Sequence, residues 1–316
     1  LYPTSKSLNV GAKRDLKVLK KEDTGVSWYA KVPALVDFDS GKTHSVKADV
    51  SALLDAIDNA ESGDVLELAP GQYDVSKLVK IDKTLTIKAK QNTKSKLTFQ
   101  RSTLFEIHDG GSLKLDGLSI SGENAPDAIG NSIVRTQKWG MVDNYRFVMT
   151  NSELNALDIN HSFHFFITGK GAMADEIIVT GNTFNTVTGD ILRLNTEIED
   201  LGVYNAEYVI VNDNTFNNVE GGVLKLYRGG TDESTFGPHF EMTNNTLNNV
   251  GLGKRNKEQA SIYVHGVQVT NIKDNKFVKS APIVVEHTVG EPKTEISGNT
   301  FDATKAPSVK ELRVKG

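Results

Sequence analysis

The chain has 316 residues, with 36 Lys or Arg against 40 Asp or Glu, and its formal net charge is −4. Because there is no surplus of positive charge, the composition argues against a general nucleic-acid-binding protein, and no apolar run approaches the 18 residues needed to span a membrane. The complete absence of cysteine excludes disulfides, thiol catalysis and cysteine-based zinc sites.

The N-terminal third differs in pattern from the rest of the chain. Residues 1–45 show no hydrophobic periodicity, include the charged stretch Lys13–Asp23 and lack the segments of a signal peptide, so a linker or extended wrap is predicted there. From about residue 50 to residue 60, apolar side chains recur at i, i+1 and i+4. This pattern predicts a helix capped by Asp49 or Ser51. This helix is expected to cap the N-terminal end of a domain formed by residues 46–316.

From about residue 100 the chain is rich in Val, Ile, Thr, Asn and Gly, and a short motif recurs along it. Successive copies are 31, 32, 31, 30 and 24 residues apart and begin at Asn151, Asn182, Asn214, Asn245, Asn275 and Asn299. Short apolar runs flank most copies. Strands separated by bends at a period above 20 residues are typical of an all-β parallel β-helix, whose coils stack on one another. A β-propeller needs about 40 residues per blade and fits these spacings poorly.

The recurrent asparagine is predicted to have two roles. It tolerates the left-handed conformation that a bend requires, and its amide can bond to the asparagine of the next coil. We therefore expect an inward stack of amides along the solenoid, formed by Asn182, Asn214, Asn245 and Asn275.

The same period places polar side chains in columns on one face of the predicted solenoid. If Leu157, Leu192, Leu224, Ile262 and Ile283 point inward, their neighbours point outward. The outward columns are then Asp158, Arg193, Lys225, Tyr263 and Val284; Asn160, Asn195, Tyr227, His265 and Glu286; and, at the following turn, His161, Thr196, Arg228, Gly266 and His287. Such a ladder of Lys, Arg, Tyr and His can bind a polymer, although a solvated surface can have the same composition.

Several segments of the chain resemble a known family. Gly63–Tyr73 looks like the entry coil of pectin-lyase-like β-helices. More specific segments resemble the C-terminal β-helix of two-domain alginate lyases of polysaccharide lyase family 6, the chondroitinase-B-like family; they are Leu224–Gly237, Asn248–Gly251, Lys254–Lys257, Ser261–Gln268 and Val285–Pro292. Asp23–Tyr29 resembles the linker between the two domains.

This resemblance covers nearly the whole chain and implies both fold and context. The fold would be a single-stranded, right-handed, pectin-lyase-like solenoid. The activity would be β-elimination on alginate, an anionic polysaccharide, by a secreted or periplasmic bacterial enzyme. The implied partners are an N-terminal catalytic β-helix domain and a possible second copy of the chain.

The sequence also departs from the family's catalytic pattern. The catalytic half carries two acidic calcium ligands on one strand with a Lys-Ser pair nearby, and an Arg-His-Gly stretch about one coil later. Here the corresponding strand has Asp190 in place of the first acid, Ile191 or Leu192 in place of the second, and Arg193 as the nearest cation. Arg228 is followed by two glycines instead of His-Gly. The resemblance therefore implies a helper domain with an eroded metal site and no metal of its own, Ca²⁺ being expected only in the parent enzyme.

Lyase chemistry nevertheless suggests roles for the polar columns. Removal of the C5 proton of a uronate and expulsion of the 4-linked oxygen require a base, an acid and a cation that neutralises the carboxylate. The candidate catalytic residues are Lys225, Tyr227, Arg228 and His265. The candidate substrate-binding residues are Arg193, Lys254, Arg255, Glu286 and His287.

Three functions stay open from the sequence. They are a helper domain of an alginate lyase, a self-sufficient metal-free lyase, and a non-catalytic polysaccharide-binding β-helix. The run Lys254–Lys257 is an insertion that would grip an anionic sugar chain by charge-assisted bonds, or would be a solvated loop. His161 and His164 flank aromatic residues and are interpreted as structural.

Overall fold

The structure is a computed structural model that describes residues 35–138, 142–197, 202–230, 237–288 and 290–312. Most of the segment predicted as a linker, residues 1–34, lies outside this range. The chain divides into two units, Leu1–Leu35 and Val36–Gly316, and every described helix and strand belongs to the second. Within the described residues there are one α-helix and 28 β-strands, numbered in chain order.

The strands form three parallel sheets, A, B and C, and successive coils contribute one strand to each. Sheet A contains, in spatial order, β1 (Thr43–Val46), β2 (Val65–Leu68), β5 (Thr84–Ala89), β8 (Ser112–Asp116), β11 (Val142–Thr150), β14 (Ala172–Thr180), β17 (Ala206–Asn212), β20 (His239–Thr243), β23 (Val269–Lys273) and β26 (Lys293–Ser297). Sheet B contains β3 (Gly71–Val75), β6 (Ser95–Phe99), β9 (Leu118–Ser121), β12 (Glu153–Leu157), β15 (Thr183–Val187), β18 (Thr215–Val219), β21 (Thr246–Val250), β24 (Lys276–Val278) and β27 (Thr300–Asp302).

Sheet C contains β4 (Val79–Ile81), β7 (Thr103–Ile107), β10 (Asn131–Thr136), β13 (Phe163–Ile167), β16 (Leu192–Leu194), β19 (Leu224–Tyr227), β22 (Ile262–His265), β25 (Ile283–His287) and β28 (Ser308–Glu311). Each strand pairs with the equivalent strand of the next coil, as in the alignment of Thr183 with Thr215 and of Leu192 with Leu224. The predicted parallel β-helix is therefore confirmed.

Helix α1 (Val50–Asn59) covers the N-terminal end, as the amphipathic pattern predicts. Asp49 is its N-cap, with Oδ1 accepting the N–H of Ala52 at 2.9 Å. Leu53 and Ile57 are buried in the core beneath the helix. Strand β1 begins at Thr43, so the last residues of the predicted wrap join sheet A. No helix among the described residues is long and apolar enough to cross a membrane.

The core is a column of inward side chains from all three sheets. Its aromatic members stack between coils: the ring centroids of Phe184 and Phe216 are 5.1 Å apart, and Phe165 meets Phe184 edge to face at 5.0 Å. All three rings are fully buried. Burial of side chains this large supplies a major share of the stabilisation of the solenoid.

An internal ladder of asparagine side chains runs along the bend between sheets A and B. Both the backbone N–H and Nδ2 of Asn182 donate to Oδ1 of Asn214, at 2.9 and 3.0 Å. The pattern repeats from Asn214 to Asn245, from Asn245 to Asn275 and from Asn275 to Asn299. The predicted inward stack is therefore confirmed.

Two details of the predicted ladder are wrong. The left-handed backbone belongs to the residue before each ladder position, at φ values from 51° to 71°: Asn151, Gly181, Asp213, Asn244, Asp274 and Gly298. At the first copy, Ser152 rather than Asn151 occupies the ladder position, since its N–H donates to Oδ1 of Asn182 at 2.9 Å. Asn151 is the bend residue, because its short polar side chain suits a positive φ.

Candidate functional site

The predicted polar columns lie on the outer face of sheet C. Arg193, Lys225, Tyr263 and Val284 are direct neighbours on β16, β19, β22 and β25. Tyr227, His265 and Glu286 form the next column, which Lys310 on β28 extends. The alignment of these coils is therefore confirmed from the Arg193 coil onward.

The lowest step of these columns was predicted wrongly. Ile167 of β13, not Asp158, lies beside Arg193. Leu157 lies instead on sheet B, where it pairs with Val187. The chain from Leu157 to Phe166 is four residues longer than the equivalent segments of the next two coils, Val187–Leu192 and Val219–Leu224, and this longer bend displaces the alignment.

At the turn that follows the second column Arg228, Gly266 and His287 are buried, so their predicted exposure is wrong, whereas His161 is exposed and Thr196 half-buried. Arg228 has 0% exposure and His287 has 6%. The N–H of Arg228 donates to the carbonyl of His265 at 2.9 Å, and the residue forms an antiparallel bridge with Tyr204. His287 is held by Glu311 through Nδ1 and by Thr294 through Nε2 at 2.8 Å. Both side chains therefore lie beneath the polar face.

Lys225 lies at the centre of a cluster of ionised side chains. Its Nζ is 3.2 Å from Oδ1 of Asp190 and 2.7 Å from Oε2 of Glu258. The side chains of Lys225 and Asp190 are 9% and 5% exposed. Oδ1 of Asp190 also accepts the N–H of Gly222 at 2.9 Å. The ammonium group is therefore matched by two carboxylates, one of them buried on the preceding coil.

His164 is buried beside this cluster in a neutral state. Its Nδ1 accepts the backbone N–H of Asp190 at 2.9 Å, and its Nε2 lies 3.2 Å from both Oγ of Ser162 and Nη1 of Arg193. Burial lowers the pKa of His164 to about 4; Asp190 opposes the shift, and Arg193 and Lys225 add to it. The interpretation of His164 as a satisfied structural histidine agrees with these contacts.

A second polar cluster follows on the same sheet. Oε2 of Glu286 accepts a hydrogen bond from the hydroxyl of Tyr263 at 2.8 Å and lies 3.0 Å from Nδ1 of His265. Burial would raise the pKa of Glu286, but the bonds from His265, Tyr263 and Lys310 outweigh it and hold the pKa below its usual value. Burial and the bond to Glu286 raise the pKa of Tyr263, which is therefore a neutral donor. The ring of Tyr227 stacks on His265 at 4.3 Å.

A cavity of about 480 Å³ opens over the first cluster. Its charged lining consists of four cations and three carboxylates: Arg193, Lys225, Arg255, Lys257, Asp190, Glu220 and Glu258. Lys254 lies on the other side of the same loop, in a neighbouring cavity of about 550 Å³ that Arg255 also lines. The structure thus brings Arg193, Lys225 and Arg255 together. Tyr227, His265 and Glu286 form the separate second cluster.

The carboxylates of the first cavity do not fit a calcium site at Asp190. One oxygen of Asp190 already binds Lys225 and an N–H group, and both Ile191 and Leu192 are fully buried apolar side chains. Ca²⁺ needs six to eight oxygen ligands. Among the described residues no group of three or more His, Asp or Glu side chains is arranged to hold a metal.

Sequence reasoning missed Glu258 as a partner of the site. It follows the basic run of the insertion, where an acidic residue gives no periodic signal. Only the folding of that loop back over sheet C brings its carboxylate to Lys225.

The three parallel sheets, built from coils that stack on one another, define a parallel β-helix. Among solved structures, the chain matches the PL6 family alginate lyase AlyGC with 50% sequence identity over 93% of its length and a TM-score of 0.88. A variant of AlyGC in which one arginine is replaced by alanine matches with the same values. The resemblance to polysaccharide lyase family 6 is therefore confirmed.

The match covers only part of the neighbouring enzyme. The chain spans 40% of the length of AlyGC. The PL6 family polysaccharide lyase Pedsa3628 from Pseudopedobacter saltans gives a TM-score of 0.20 at 11% identity, which is too low to support a comparison. No protein-family model and no curated protein matches the chain.

Proposed function

We propose that this chain is a helper β-helix of an alginate lyase, which binds the anionic polysaccharide and supports a separate catalytic domain on its N-terminal side. The partial coverage of AlyGC supports this division, because the chain is related to about two fifths of a longer enzyme. A secreted or periplasmic location belongs to the same proposal.

The observation that carries the proposal is the ion pair between Asp190 and Lys225. The carboxylate of Asp190 binds the ammonium group of Lys225, and no second acid stands beside it on the strand. The ammonium group of Lys225 therefore lies beside the carboxylate that would otherwise bind an activating metal. Because Nζ of Lys225 forms ion pairs with both Asp190 and Glu258, it is directed at two carboxylates of the chain itself, which argues against a role as the general base. We propose that Ca²⁺ belongs to the catalytic domain alone.

Two assays on the 316-residue chain test this function. The first follows the ultraviolet absorbance of unsaturated product on alginate, poly-mannuronate and poly-guluronate, with and without Ca²⁺. The second measures binding to the same polymers by affinity electrophoresis. A helper domain binds without turnover, and its melting temperature is unchanged by Ca²⁺ or by a chelator. Sustained release of unsaturated product by the pure chain would refute the proposal.

A second candidate function, a self-sufficient lyase, is favoured by one specific observation. Nδ1 of His265 lies 3.0 Å from Oε2 of Glu286, so Nε2 is the ring nitrogen left for the role of base. The candidate acid is the neutral hydroxyl of Tyr263, which donates to Glu286 at 2.8 Å and lies 3.4 Å from Nδ1 of His265. In such a reaction the base removes the C5 proton, the electron pair forms the C4–C5 double bond, and the leaving oxygen takes a proton from the acid.

This alternative has its own pair of variants. His265→Ala and Glu286→Gln would each lower turnover, the first by about 10² or more, since general-base catalysis contributes that much. Both variants must retain the wild-type melting temperature for the result to count. Equal turnover in both variants and the wild type would exclude His265 as the base.

A further inference from the structure

The loop of residues 251–260, named here the charged loop, has a fixed conformation. Asn256 is buried, and its Nδ2 donates to the carbonyls of Gly251 and Ala260, both at 2.8 Å, which closes the loop on itself. The N–H of Gly253 donates to the carbonyl of Glu220 on the preceding coil at 2.9 Å. Glu258 ties the far side of the loop to Lys225 at 2.7 Å. The alternative of a freely solvated loop does not agree with these anchors.

The cations of the charged loop alternate with its anchors. Arg255 and Lys257 flank the buried Asn256 and are both exposed, so the anchored backbone presents them to the first cavity. Arg193 faces them from β16. Lys225 adds little to the attraction of an anion, because the two carboxylates of Asp190 and Glu258 exceed its single positive charge. The attraction for a carboxylate therefore comes from Arg193, Arg255 and Lys257. It is opposed by the exposed carboxylate of Glu220, and the four cations and three carboxylates of the lining leave a net charge of +1.

The second cavity lies on the opposite side of the charged loop and has a different lining. Lys254 and Arg255 supply its positive charge, and the exposed Thr186, Asn218 and Asn249 supply hydroxyl and amide groups. Nδ2 of Asn249 donates to Oδ1 of Asn218 at 2.9 Å, which holds the two amides in a row along the solenoid. Amide and hydroxyl groups suit the hydroxyls of a sugar, and the cations suit its carboxylate.

The two cavities adjoin each other. Thr188, Glu220, Gly253 and Arg255 line both of them. Their volumes, about 480 and 550 Å³, lie within the range of about 300–1,000 Å³ that holds a drug-sized ligand, so each has room for a sugar residue. Of these four shared residues, Arg255 is the cation and Glu220 is an exposed carboxylate.

We propose that the two cavities form one binding site for an acidic oligosaccharide, which crosses the charged loop at Arg255. This inference rests on the proposed polysaccharide-binding function and locates it. Sugar residues on one side of the loop meet Arg193 and Lys257, and residues on the other side meet Lys254 and the Asn218–Asn249 row. Arg255 binds a carboxylate at the crossing, where its planar fork of N–H donors allows a two-point contact.

The test measures the affinity of alginate oligosaccharides of two to six residues by isothermal titration calorimetry. The variants are Arg255→Ala, Lys254→Ala and Lys257→Ala. The matched control is Arg101→Ala, which removes an exposed arginine far along the solenoid, bonded only to the carbonyl of Ser76 among the described residues. A neutral oligosaccharide of equal length serves as a ligand control. Thermal melts verify that each variant is folded, as expected for exposed positions.

We expect Arg255→Ala to weaken hexasaccharide binding at least tenfold, and Lys254→Ala and Lys257→Ala to weaken it about threefold each. Arg101→Ala should leave the affinity unchanged. Affinity should rise from disaccharide to hexasaccharide and fall with salt, because charge-assisted contacts on an open surface are screened. If the unaltered chain bound no alginate oligosaccharide, the polysaccharide-binding function itself would be refuted. If it bound and Arg255→Ala matched Arg101→Ala, the function would stand and this location would be wrong.

Discussion

Replacement of Asn214 tests the internal ladder most directly. In the wild type its Oδ1 accepts the N–H and Nδ2 of Asn182, and its Nδ2 donates to the carbonyl of Val179 at 2.8 Å and to Oδ1 of Asn245 at 3.0 Å. Asn214→Ala removes all four bonds from a position that is 1% exposed. In the variant, Nδ2 of Asn182 still donates to two backbone carbonyls, and Oδ1 of Asn245 still accepts the backbone N–H of residue 214. The N–H of Asn182 loses its partner in a dry interior.

The size of the effect follows from this inventory. A buried donor without a partner costs about 1–3 kcal/mol, and the lost side-chain bond to Val179 adds about 1 kcal/mol. We therefore expect Asn214→Ala to lower the free energy of unfolding by about 2–4 kcal/mol. The measurement is urea denaturation followed by circular dichroism, with the slope against urea concentration compared between variants.

The same coil offers a matched control. Asn217 makes the same amide-to-amide bonds on the outer face of sheet B, donating to Asn185 at 2.9 Å and accepting from Asn248 at 2.8 Å. Because water can replace these bonds at a half-buried position, Asn217→Ala should cost less than about 1 kcal/mol. Equal losses from Asn214→Ala and Asn217→Ala would refute the reasoning that burial of the ladder makes it stabilising.

Three further predictions concern the floor of the first cavity. His164 has a pKa of about 4 in the folded state against about 6.5 when unfolded, so the unfolded chain binds more protons between these values and stability falls as the pH drops through this window. Between pH 7 and pH 5 this histidine should lower the free energy of unfolding by about 2 kcal/mol. His164→Asn retains an acceptor for the N–H of Asp190, and urea denaturation at both pH values should show that the variant lacks this contribution to the pH dependence of stability. Gly221→Ala should lower the free energy of unfolding by about 1–3 kcal/mol, because its Cβ would lie 2.4 Å from the carbonyl oxygen of Gly189 and 2.5 Å from Oδ1 of Asp190. An unchanged melting temperature would contradict this close approach. Lys225→Met should lower the free energy of unfolding by about 2–4 kcal/mol, because the buried carboxylate of Asp190 loses its cation. In a double-mutant cycle, adding Asp190→Asn should restore part of that loss.

The repeating part of the fold was predictable from the sequence because one physical requirement recurs in every coil. Each bend between sheets A and B has a residue with a left-handed backbone followed by an inward amide. The regular spacing of Asn182, Asn214 and Asn245 in the sequence reflects this requirement. At the first copy Asn151 satisfies the bend requirement, and Ser152 occupies the ladder position. The same residue type serves both, so the sequence alone does not separate them at that copy.

The candidate site was predictable only where strand periodicity governs it. The column of Arg193, Lys225 and Tyr263 follows from side-chain alternation and the coil period. The burial of Arg228 was not predictable in this way, because turn residues have no fixed alternation. The contact between Lys225 and Glu258 depends on how the charged loop folds back, which neither period nor composition specifies.

The alignment of sheet C also shows how such a molecule can acquire new surfaces. Leu224 and Ile262 are direct neighbours although 38 residues separate them in sequence, whereas Ile262 and Ile283 are neighbours at a separation of 21. The interior therefore receives the same strand from each coil whatever the length of the chain between strands. An insertion at one bend changes what the solenoid presents outside without requiring any compensating change in the core. The charged loop is such an insertion, and coils of unequal length allow evolution to alter binding specificity independently of folding.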